Sequence, residues 1–213
     1  GAELSHGNII ANVLQAKSWL GDRILGDKQI IITPLPLYHI LSLTANCIIF
    51  FTIGGLNVLI TNPRDFKGFI KEIKNWDFTA ITGVNTLFNV LMNEEDFQSV
   101  NFSHLTITLA GGMAVQKAVA EKWKEITGTP IIEAYGLTET SPAACINPMS
   151  LESYNGFVGL PLPSTIVSIK DEKEKDLLLN EVGEICIKGP QVMKGYYNRA
   201  DETAKVMTKD GFF

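Results

Sequence analysis

The segment YGLTE, at residues 135–139, combines residue types that suit phosphate and metal binding. Gly136 permits a tight turn, the Thr138 hydroxyl can donate to a phosphate oxygen, and the Glu139 carboxylate is a hard ligand suited to Mg²⁺. A carboxylate at the exit of an apolar strand is costly to desolvate without a partner. The alternative is a helix start, with Thr138 as N-cap and Glu139 favouring the helix dipole. These residues alone leave both interpretations open.

Two further segments carry groups that can contact a ligand, AGGM at 110–113 and PLPLYH at 34–39. Gly111 and Gly112 have no side chains, so a flat ring or a ribose can lie against their backbone, although a plain turn would use the same residues. His39 lies in an apolar stretch, where a core histidine is the alternative. Each segment follows a predicted strand, and open α/β sheets bind ligands at the carboxyl ends of their strands. We therefore expect the segments to build one site.

The elements that position these segments alternate between short apolar runs and helical patterns. This alternation is typical of βα units on a mostly parallel sheet. The five predicted strands lie in QIIITP, NVLI, FTAITGV, LTITLAGG and PIIEAYG. The fold class is therefore α/β, with helices flanking the sheet.

The helices carry recognisable start signals. Ser5 is predicted to cap a first helix with an apolar face formed by Ile9, Ile10, Val13 and Leu14. Asn62 as cap and Pro63 as first residue are predicted to start another helix. Its core face would comprise Phe66, Phe69, Ile70, Ile73 and Trp76.

The pattern changes after about residue 145 to short alternating runs, STIVSIK, GEICIKG and GYYN, separated by Gly and Pro. These runs predict a smaller antiparallel, barrel-like β region. We expect an α/β subdomain at 1–147 and a β-rich subdomain at 148–213. The charged run DEKEKD at 171–176 is interpreted as a solvated hairpin tip.

Composition and motifs argue against several other functions. The net charge of -5 offers no basic surface for nucleic acid. The uncharged stretch from Ile40 to Ile60 is interrupted by Gly and Asn, which favours a buried helix, a Gly-Gly stop and a strand over a membrane span. Residues 21–28 have the glycine spacing of a phosphate loop, but Asp27 stands where that loop has lysine, so a turn is expected.

A resemblance to the adenylate-forming superfamily is carried by YGLTETSP, PLPLYHI, TAITGVNTLF and GEICIKGPQVMKGYYNRADET. The chain resembles most closely the bacterial long-chain fatty acid:CoA ligases, and specifically part of their large N-terminal domain. YGLTE is shared across the superfamily, whereas ITNPRDF, TAITGVNTLFN and GPQVMKGYYNR resemble the long-chain branch. The resemblance spans essentially the whole sequence.

The resemblance implies a reaction in two steps. A fatty acid carboxylate attacks the α-phosphorus of ATP to give acyl-AMP and pyrophosphate, and the thiol of coenzyme A then displaces AMP. The implied ligands are a long-chain fatty acid, ATP, coenzyme A and Mg²⁺. The implied setting is cytoplasmic, and both peripheral association with the inner membrane and the oligomeric state stay open.

The resemblance also assigns residues to the site. Thr138 and Glu139 match the catalytic positions for phosphate contact and metal binding, with Glu139 as the metal ligand. The residues matching nucleotide-binding positions are Gly111, Gly112, Met113, Glu133, Ala134, Tyr135, Gly136 and Thr138. Those matching acyl-binding positions are Tyr38, His39, Gly83, Val84 and Asn85. Gly195 and Tyr196 match a motif interpreted as architectural, and Ala110 departs from the glycine that many relatives have there.

Several parts of the implied enzyme fall outside the 213 residues. These are a phosphate loop expected before Gly1, a ribose-binding Thr-Gly-Asp expected after Phe213, and a mobile C-terminal domain with its lysine. We therefore expect the chain by itself to be inactive. The alternatives are an adenylating ligase for another acid, whether aryl, medium-chain or amino acid, and a non-catalytic acyl-binding module on the same scaffold.

Overall fold

A seven-stranded sheet forms the centre of the structure, which is a computed structural model describing residues 1–26 and 28–213. The strand order is β2-β1-β3-β4-β5-β6-β7. Its strands are β1 (Ile30–Thr33), β2 (Leu56–Leu59), β3 (Ala80–Gly83), β4 (Ile107–Ala110), β5 (Ile131–Gly136), β6 (Ala143–Ile146) and β7 (Leu160–Pro161). The five strands predicted from the sequence are confirmed, and all of them pair in parallel.

Two antiparallel strands extend this sheet beyond β5. The chain turns back after Gly136 so that β6 pairs antiparallel with β5, and β7 then pairs antiparallel with β6. Neither strand is predicted by the sequence pattern. Because β7 lies in the range 148–213, a piece of the expected β-rich region belongs to the large sheet, while the division at residue 148 stays a prediction.

A separate antiparallel pair, β8 (Ile166–Lys170) and β9 (Glu184–Lys188), makes a second sheet of two strands. The charged run at 171–176 forms the first part of the connection between these strands and is largely exposed, as predicted. The prediction of a strand at GYYN is wrong, since Tyr196 forms only an isolated bridge with Ala2. The short run is tied by backbone hydrogen bonds to residues 1–3 instead of pairing with β9.

Six α-helices and one π-helix accompany the strands in the part of the chain that is described. They are α1 (His6–Leu20), a π-helix (Ser42–Ile48), α2 (Ile49–Thr52), α3 (Phe66–Ile73), α4 (Asn85–Leu91), α5 (Lys117–Thr127) and α6 (Ala200–Val206). Gly128 ends α5 in the left-handed conformation that favours glycine, at φ 75°. Residues 21–24 form a 3₁₀ turn, and Asp27 lies outside the described residues.

The main core lies between the sheet and helices α3, α4 and α5. Trp123 of α5 is fully buried, and its indole nitrogen donates to Thr108 Oγ1 at 3.1 Å. The predicted face of α3 is confirmed, because Phe69, Ile70 and Ile73 are buried and the two outer members, Phe66 and Trp76, pack against the same core.

The uncharged segment 40–60 folds as a buried helix, a turn and a strand, as predicted, although part of the helix is a π-helix. The buried Asn46 amide donates to Thr33 Oγ1 at 3.0 Å and to Thr82 Oγ1 at 2.8 Å, which joins the π-helix to β1 and β3. Among the described residues, no helix is long and apolar enough to cross a membrane.

Helix α1 begins as predicted but buries a different face. Ser5 Oγ accepts from the Asn8 backbone at 3.1 Å, and Asn8 Oδ1 accepts from the Ser5 backbone at 2.9 Å. The side chains of Ile10 and Leu14 are exposed, whereas Asn12 and Gln15 are buried. The predicted apolar face is confirmed at Ile9 and Val13, which pack in the core, and is wrong at Ile10 and Leu14. Asn12 and Gln15 take part of the buried side because their amides bond to the start of β6 and to the Pro163 carbonyl.

The cap of α3 differs from the sequence prediction in a way that can be measured. Asp65 Oδ1 accepts from the Gly68 backbone at 3.0 Å, and Asn62 lies in the preceding turn. We expect Asp65→Ala to lower the free energy of unfolding by about 1 kcal/mol, the usual effect of losing an N-cap. Asn62→Ala, the matched control, should lower it less. A greater loss for Asn62→Ala in chemical denaturation would contradict this assignment.

Candidate active site

A cavity of about 310 Å³ lies where the predicted segments meet, at the carboxyl ends of β4 and β5. It is lined by His39, Ile40, Leu41, Gly111, Gly112, Ala134, Tyr135, Gly136, Leu137, Thr138, Glu139, Pro142 and Ala143. The structure thus brings together the loop after β1, the glycine pair after β4 and the YGLTE segment at the end of β5. Its volume lies at the lower end of the range found for small-molecule sites.

A sharp turn between β5 and β6 presents Thr138 and Glu139 to this cavity. At Gly136 the backbone approaches the Pro142 carbonyl so closely that an added Cβ would lie 1.8 Å from the oxygen. The Leu137 N–H closes the turn by donating to Pro142 O at 3.0 Å and to Thr140 Oγ1 at 2.9 Å. The glycine predicted to allow a tight turn is therefore required by close approach.

Thr138 and Glu139 are not at the start of a long helix. Residues Thr138–Thr140 form a three-residue 3₁₀ turn, and Leu137 occupies the position preceding it. Thr138 makes no capping hydrogen bond, and its side chain is exposed toward the cavity. The helix-capping interpretation therefore has no support in the structure, and the hydroxyl is free to meet a ligand.

The Glu139 carboxylate has one recorded side-chain partner, Tyr196, whose phenol donates to Oε1 at 2.9 Å. Within residues 1–26 and 28–213, no Lys, Arg or His lies within 4.0 Å of the carboxylate oxygens. Burial, followed by the bond to Glu139, raises the pKa of Tyr196, so the phenol remains a protonated donor at neutral pH. In this part of the chain, the half-buried carboxylate therefore has a phenol beside it and no protein cation.

The residues predicted to bind the nucleotide form two groups, those that line the cavity and those that lie outside it. Gly111 packs beneath Leu41, where an added Cβ would lie 3.2 Å from Leu41 Cδ2, and Gly112 has the left-handed backbone at φ 83°. Met113 is exposed and lies outside the cavity lining. Glu133 turns to the other side of the wall, where Oε1 accepts from the Val115 backbone at 3.0 Å.

Two further residues near the glycine pair, Ala110 and Tyr135, differ in whether they reach the cavity. Ala110, which stands where many relatives have glycine, places its methyl group in the main core and not in the cavity. Tyr135 lines the cavity, and burial, with a smaller contribution from Cys145, raises the pKa of its phenol. The methyl group of Ala110 therefore does not reach the cavity.

Of the five acyl-site candidates, only His39 lines the main cavity. It is exposed on the rim, with Nδ1 accepting from the Leu41 backbone at 3.2 Å, and is not a core histidine. The Tyr38 side chain is 93% exposed. Gly83 packs against Phe88, and Asn85 Oδ1 accepts from the Gln116 backbone at 2.9 Å.

Val84 lines a different and more open cavity of about 310 Å³ beside the loop after β1. This second cavity also contains Pro34, Leu35 and Leu87 and is largely apolar. It therefore joins residues 34–36 to the start of α4, on the opposite side of β1 and β3 from α1.

A third cavity, almost entirely apolar, lies directly behind the site between α1, the π-helix and the sheet. It shares Leu41, Ala134, Pro142 and Ala143 with the main cavity. Its volume of about 40 Å³ is small, so its walls must separate before it can admit more than the end of a chain. The sequence prediction missed this cavity, although Leu41 and Ala45 lie only two and six residues beyond His39.

The arrangement fits a nucleotide with Mg²⁺ better than a metal held by protein alone. No group of three His, Cys, Asp or Glu side chains close enough to hold a metal occurs in the described part of the chain. Mg²⁺ usually binds one or two carboxylates together with substrate phosphates and water. A single unpaired carboxylate beside an exposed hydroxyl matches that requirement.

The family model described as "AMP-binding enzyme" matches residues 1–197, so the chain belongs to this family. The site geometry agrees, since the matched region contains the glycine pair, YGLTE and Tyr196. The family match therefore agrees with the resemblance to the adenylate-forming superfamily, which the same motifs carry.

Individual relatives point to the long-chain branch. Over 212 residues the chain is 50% identical to a long-chain-fatty-acid–CoA ligase of Yersinia pestis and 47% identical to one of Salmonella typhimurium. It aligns over its full length but spans only 38% of each relative. Among solved structures, ATP-bound MatB from Rhodopseudomonas palustris superposes with a TM-score of 0.89 at 27% identity, over all of this chain and 41% of that one.

Proposed function

We propose that this chain forms the nucleotide- and acid-binding part of an ATP-dependent long-chain fatty acid:CoA ligase. The observation that carries the proposal is one cavity combining a side-chain-free glycine wall, an exposed hydroxyl and an unpaired carboxylate, with an apolar cavity behind it. The relatives with this name share about half of the sequence over the full length of the chain. Below, "the full-length ligase" means a complete ligase that carries these 213 residues.

The residues of the cavity address the main difficulty of the first step, which brings a carboxylate against a triphosphate. Gly111 and Gly112 let the nucleotide lie against the backbone, and the Thr138 hydroxyl donates to a phosphate oxygen. Glu139 would hold Mg²⁺, and an ion bound there would supply positive charge beside the phosphates. The thiol of coenzyme A then displaces AMP from the acyl-AMP.

A panel of acids tests the proposal against its alternatives. We expect the full-length ligase to exchange pyrophosphate into ATP with long-chain fatty acids, and to do so much more slowly with aryl or amino acids. If exchange is fastest with an aryl or amino acid, that class of acid is the substrate and the long-chain assignment is wrong. Absence of exchange with every acid, despite a folded protein, would favour the non-catalytic acyl-binding module.

Glu139→Gln tests the metal ligand, because it keeps the size of the side chain and removes its charge. We expect the adenylation rate of the full-length ligase to fall about a hundred- to a thousandfold, with a higher Mg²⁺ requirement, because transition-state charge stabilisation is lost. Glu125→Gln is the matched control, since that carboxylate is exposed on α5 and lies outside the cavity lining. A nearly normal rate with unchanged Mg²⁺ dependence in Glu139→Gln would contradict the role.

We further propose that the acyl chain enters the apolar cavity behind Leu41 and Ala134, and not the open cavity at Val84. Leu41 and Ala134 line both the main cavity and the apolar one. A fatty acid whose carboxylate lies near Thr138 would therefore direct its alkyl chain into the apolar cavity. Ala45 lies on the π-helix wall of the apolar cavity. Val84 lines the separate open cavity, which shares no lining residue with the other two.

Filling each cavity distinguishes the two routes. We expect Ala45→Leu in the full-length ligase to lower kcat/KM for a long acid at least about tenfold more than for a short one, since single methylenes in such pockets change selectivity by this order. Val84→Phe should leave the ratio of long to short unchanged. Because the long and the short acid are compared in the same variant, a loss of folded protein lowers both kcat/KM values and leaves their ratio unchanged. If Val84→Phe changes the ratio and Ala45→Leu does not, the acyl chain binds at the segment Gly83–Asn85, as the sequence predicts.

A further inference from the structure

Tyr196 lies 57 residues beyond Glu139 in the sequence, yet its phenol meets Glu139 Oε1 at 2.9 Å. The hydrogen bond fixes one carboxylate oxygen. In the described structure the carboxylate has no other recorded side-chain partner, and it faces the cavity. A carboxylate held in this way can present its other oxygen to a ligand without first losing rotamer freedom.

The backbone that carries Tyr196 is itself held in place. The Tyr196 N–H donates to Thr203 Oγ1 at 2.8 Å, and Ala2 forms a bridge with Tyr196. The preceding Gly195 has φ 152°, and an added Cβ there would lie 2.8 Å from Thr203 Cγ2. The phenol therefore projects from a segment with little freedom to shift.

The Tyr196 segment and the YGLTE turn are joined at two further points. The Met193 N–H donates to the Glu139 carbonyl at 2.7 Å, and Ser141 Oγ donates to the Gln191 carbonyl at 2.8 Å. These bonds hold the backbones in register whether or not the phenol is present. Removing the hydroxyl alone should therefore free the Glu139 side chain while the turn persists.

The geometry points to Tyr196 as a positioning residue that orients the Glu139 carboxylate for the metal–nucleotide complex. The inference rests on the proposed function and assigns a role to a motif that the sequence indicated only as architectural. Hydrogen-bonded partners of metal-ligating groups commonly contribute ten- to a hundredfold in metal affinity or activity, on the order expected here.

Tyr196→Phe removes only the hydroxyl, and Tyr197→Phe is the matched control. Tyr197 is adjacent, and its side chain is 65% exposed. The first measurement is binding of Mn²⁺ to the full-length ligase with a non-hydrolysable ATP analogue, followed by electron paramagnetic resonance. We expect Tyr196→Phe to weaken Mn²⁺ binding about 10- to 100-fold, and Tyr197→Phe to leave it unchanged.

Kinetics supply the second measurement. Tyr196→Phe should raise the Mg²⁺ concentration needed for half-maximal adenylation. It should leave the transfer to coenzyme A from added acyl-AMP near normal, because that step does not use the triphosphate. A general loss of structure would lower both steps together. Equal losses in the two half-reactions would therefore overturn the inference.

A double variant separates this inference from the proposed function. If Tyr196 acts through Glu139, Tyr196→Phe adds little to the loss of Mn²⁺ binding already caused by Glu139→Gln. If Glu139→Gln weakens Mn²⁺ binding and Tyr196→Phe does not, only the positioning role of Tyr196 is wrong. If neither single variant changes Mn²⁺ binding, the metal role of Glu139 fails and the inference fails with it.

Discussion

The close approach of Gly136 to the Pro142 carbonyl is the constraint on which the site depends. With a Cβ only 1.8 Å from that oxygen, no other residue allows the same turn, and this turn carries Thr138 and Glu139. The same reversal changes the sheet from parallel to antiparallel, since β6 returns beside β5. A functional loop and a change in sheet direction therefore have one physical origin. The turn presents Thr138 and Glu139 to the cavity, whereas the buried Thr140 and Ser141 hydroxyls bond to backbone carbonyls.

Helix α1 and the π-helix both bond to this turn. The Asn12 amide exchanges hydrogen bonds with the Ala143 backbone at 2.8 and 3.0 Å, and Gln15 contacts Gln191 at 3.1 Å. From the π-helix, Thr44 Oγ1 donates to the Ser141 carbonyl at 2.9 Å. On α1, Asn12 and Gln15 take the buried positions expected for Ile10 and Leu14, because their partners include backbone groups beside the turn. The same helix also packs Val13, Ala16 and Leu20 into the core, and both it and the π-helix line the apolar cavity.

The sequence predicts what depends on local pattern and fails where tertiary contacts decide. Strands with continuous apolar runs, the Ser5 cap and the buried face of α3 follow directly from spacing. The sequence does not predict strand β6 because AACI has little alternation, and the strand forms by pairing with β5 and β7. Asp65 replaces the predicted cap Asn62 because the turn at 62–65 delays the helix start. The convergence of three strand exits was predictable, because parallel strands end at one edge.

The contribution of Tyr196 shows why part of the site lies beyond sequence reasoning. Nothing in the run GYYN indicates which of its two tyrosines faces the carboxylate, since neither local spacing nor residue type distinguishes Tyr196 from Tyr197. The difference arises from the bridge to Ala2 and the bond to Thr203, which rotate one phenol inward and leave the other exposed. The surroundings of the Glu139 carboxylate therefore depend on contacts among three distant parts of the chain. A local motif supplies this carboxylate, and the tertiary fold determines which side chain bonds to it.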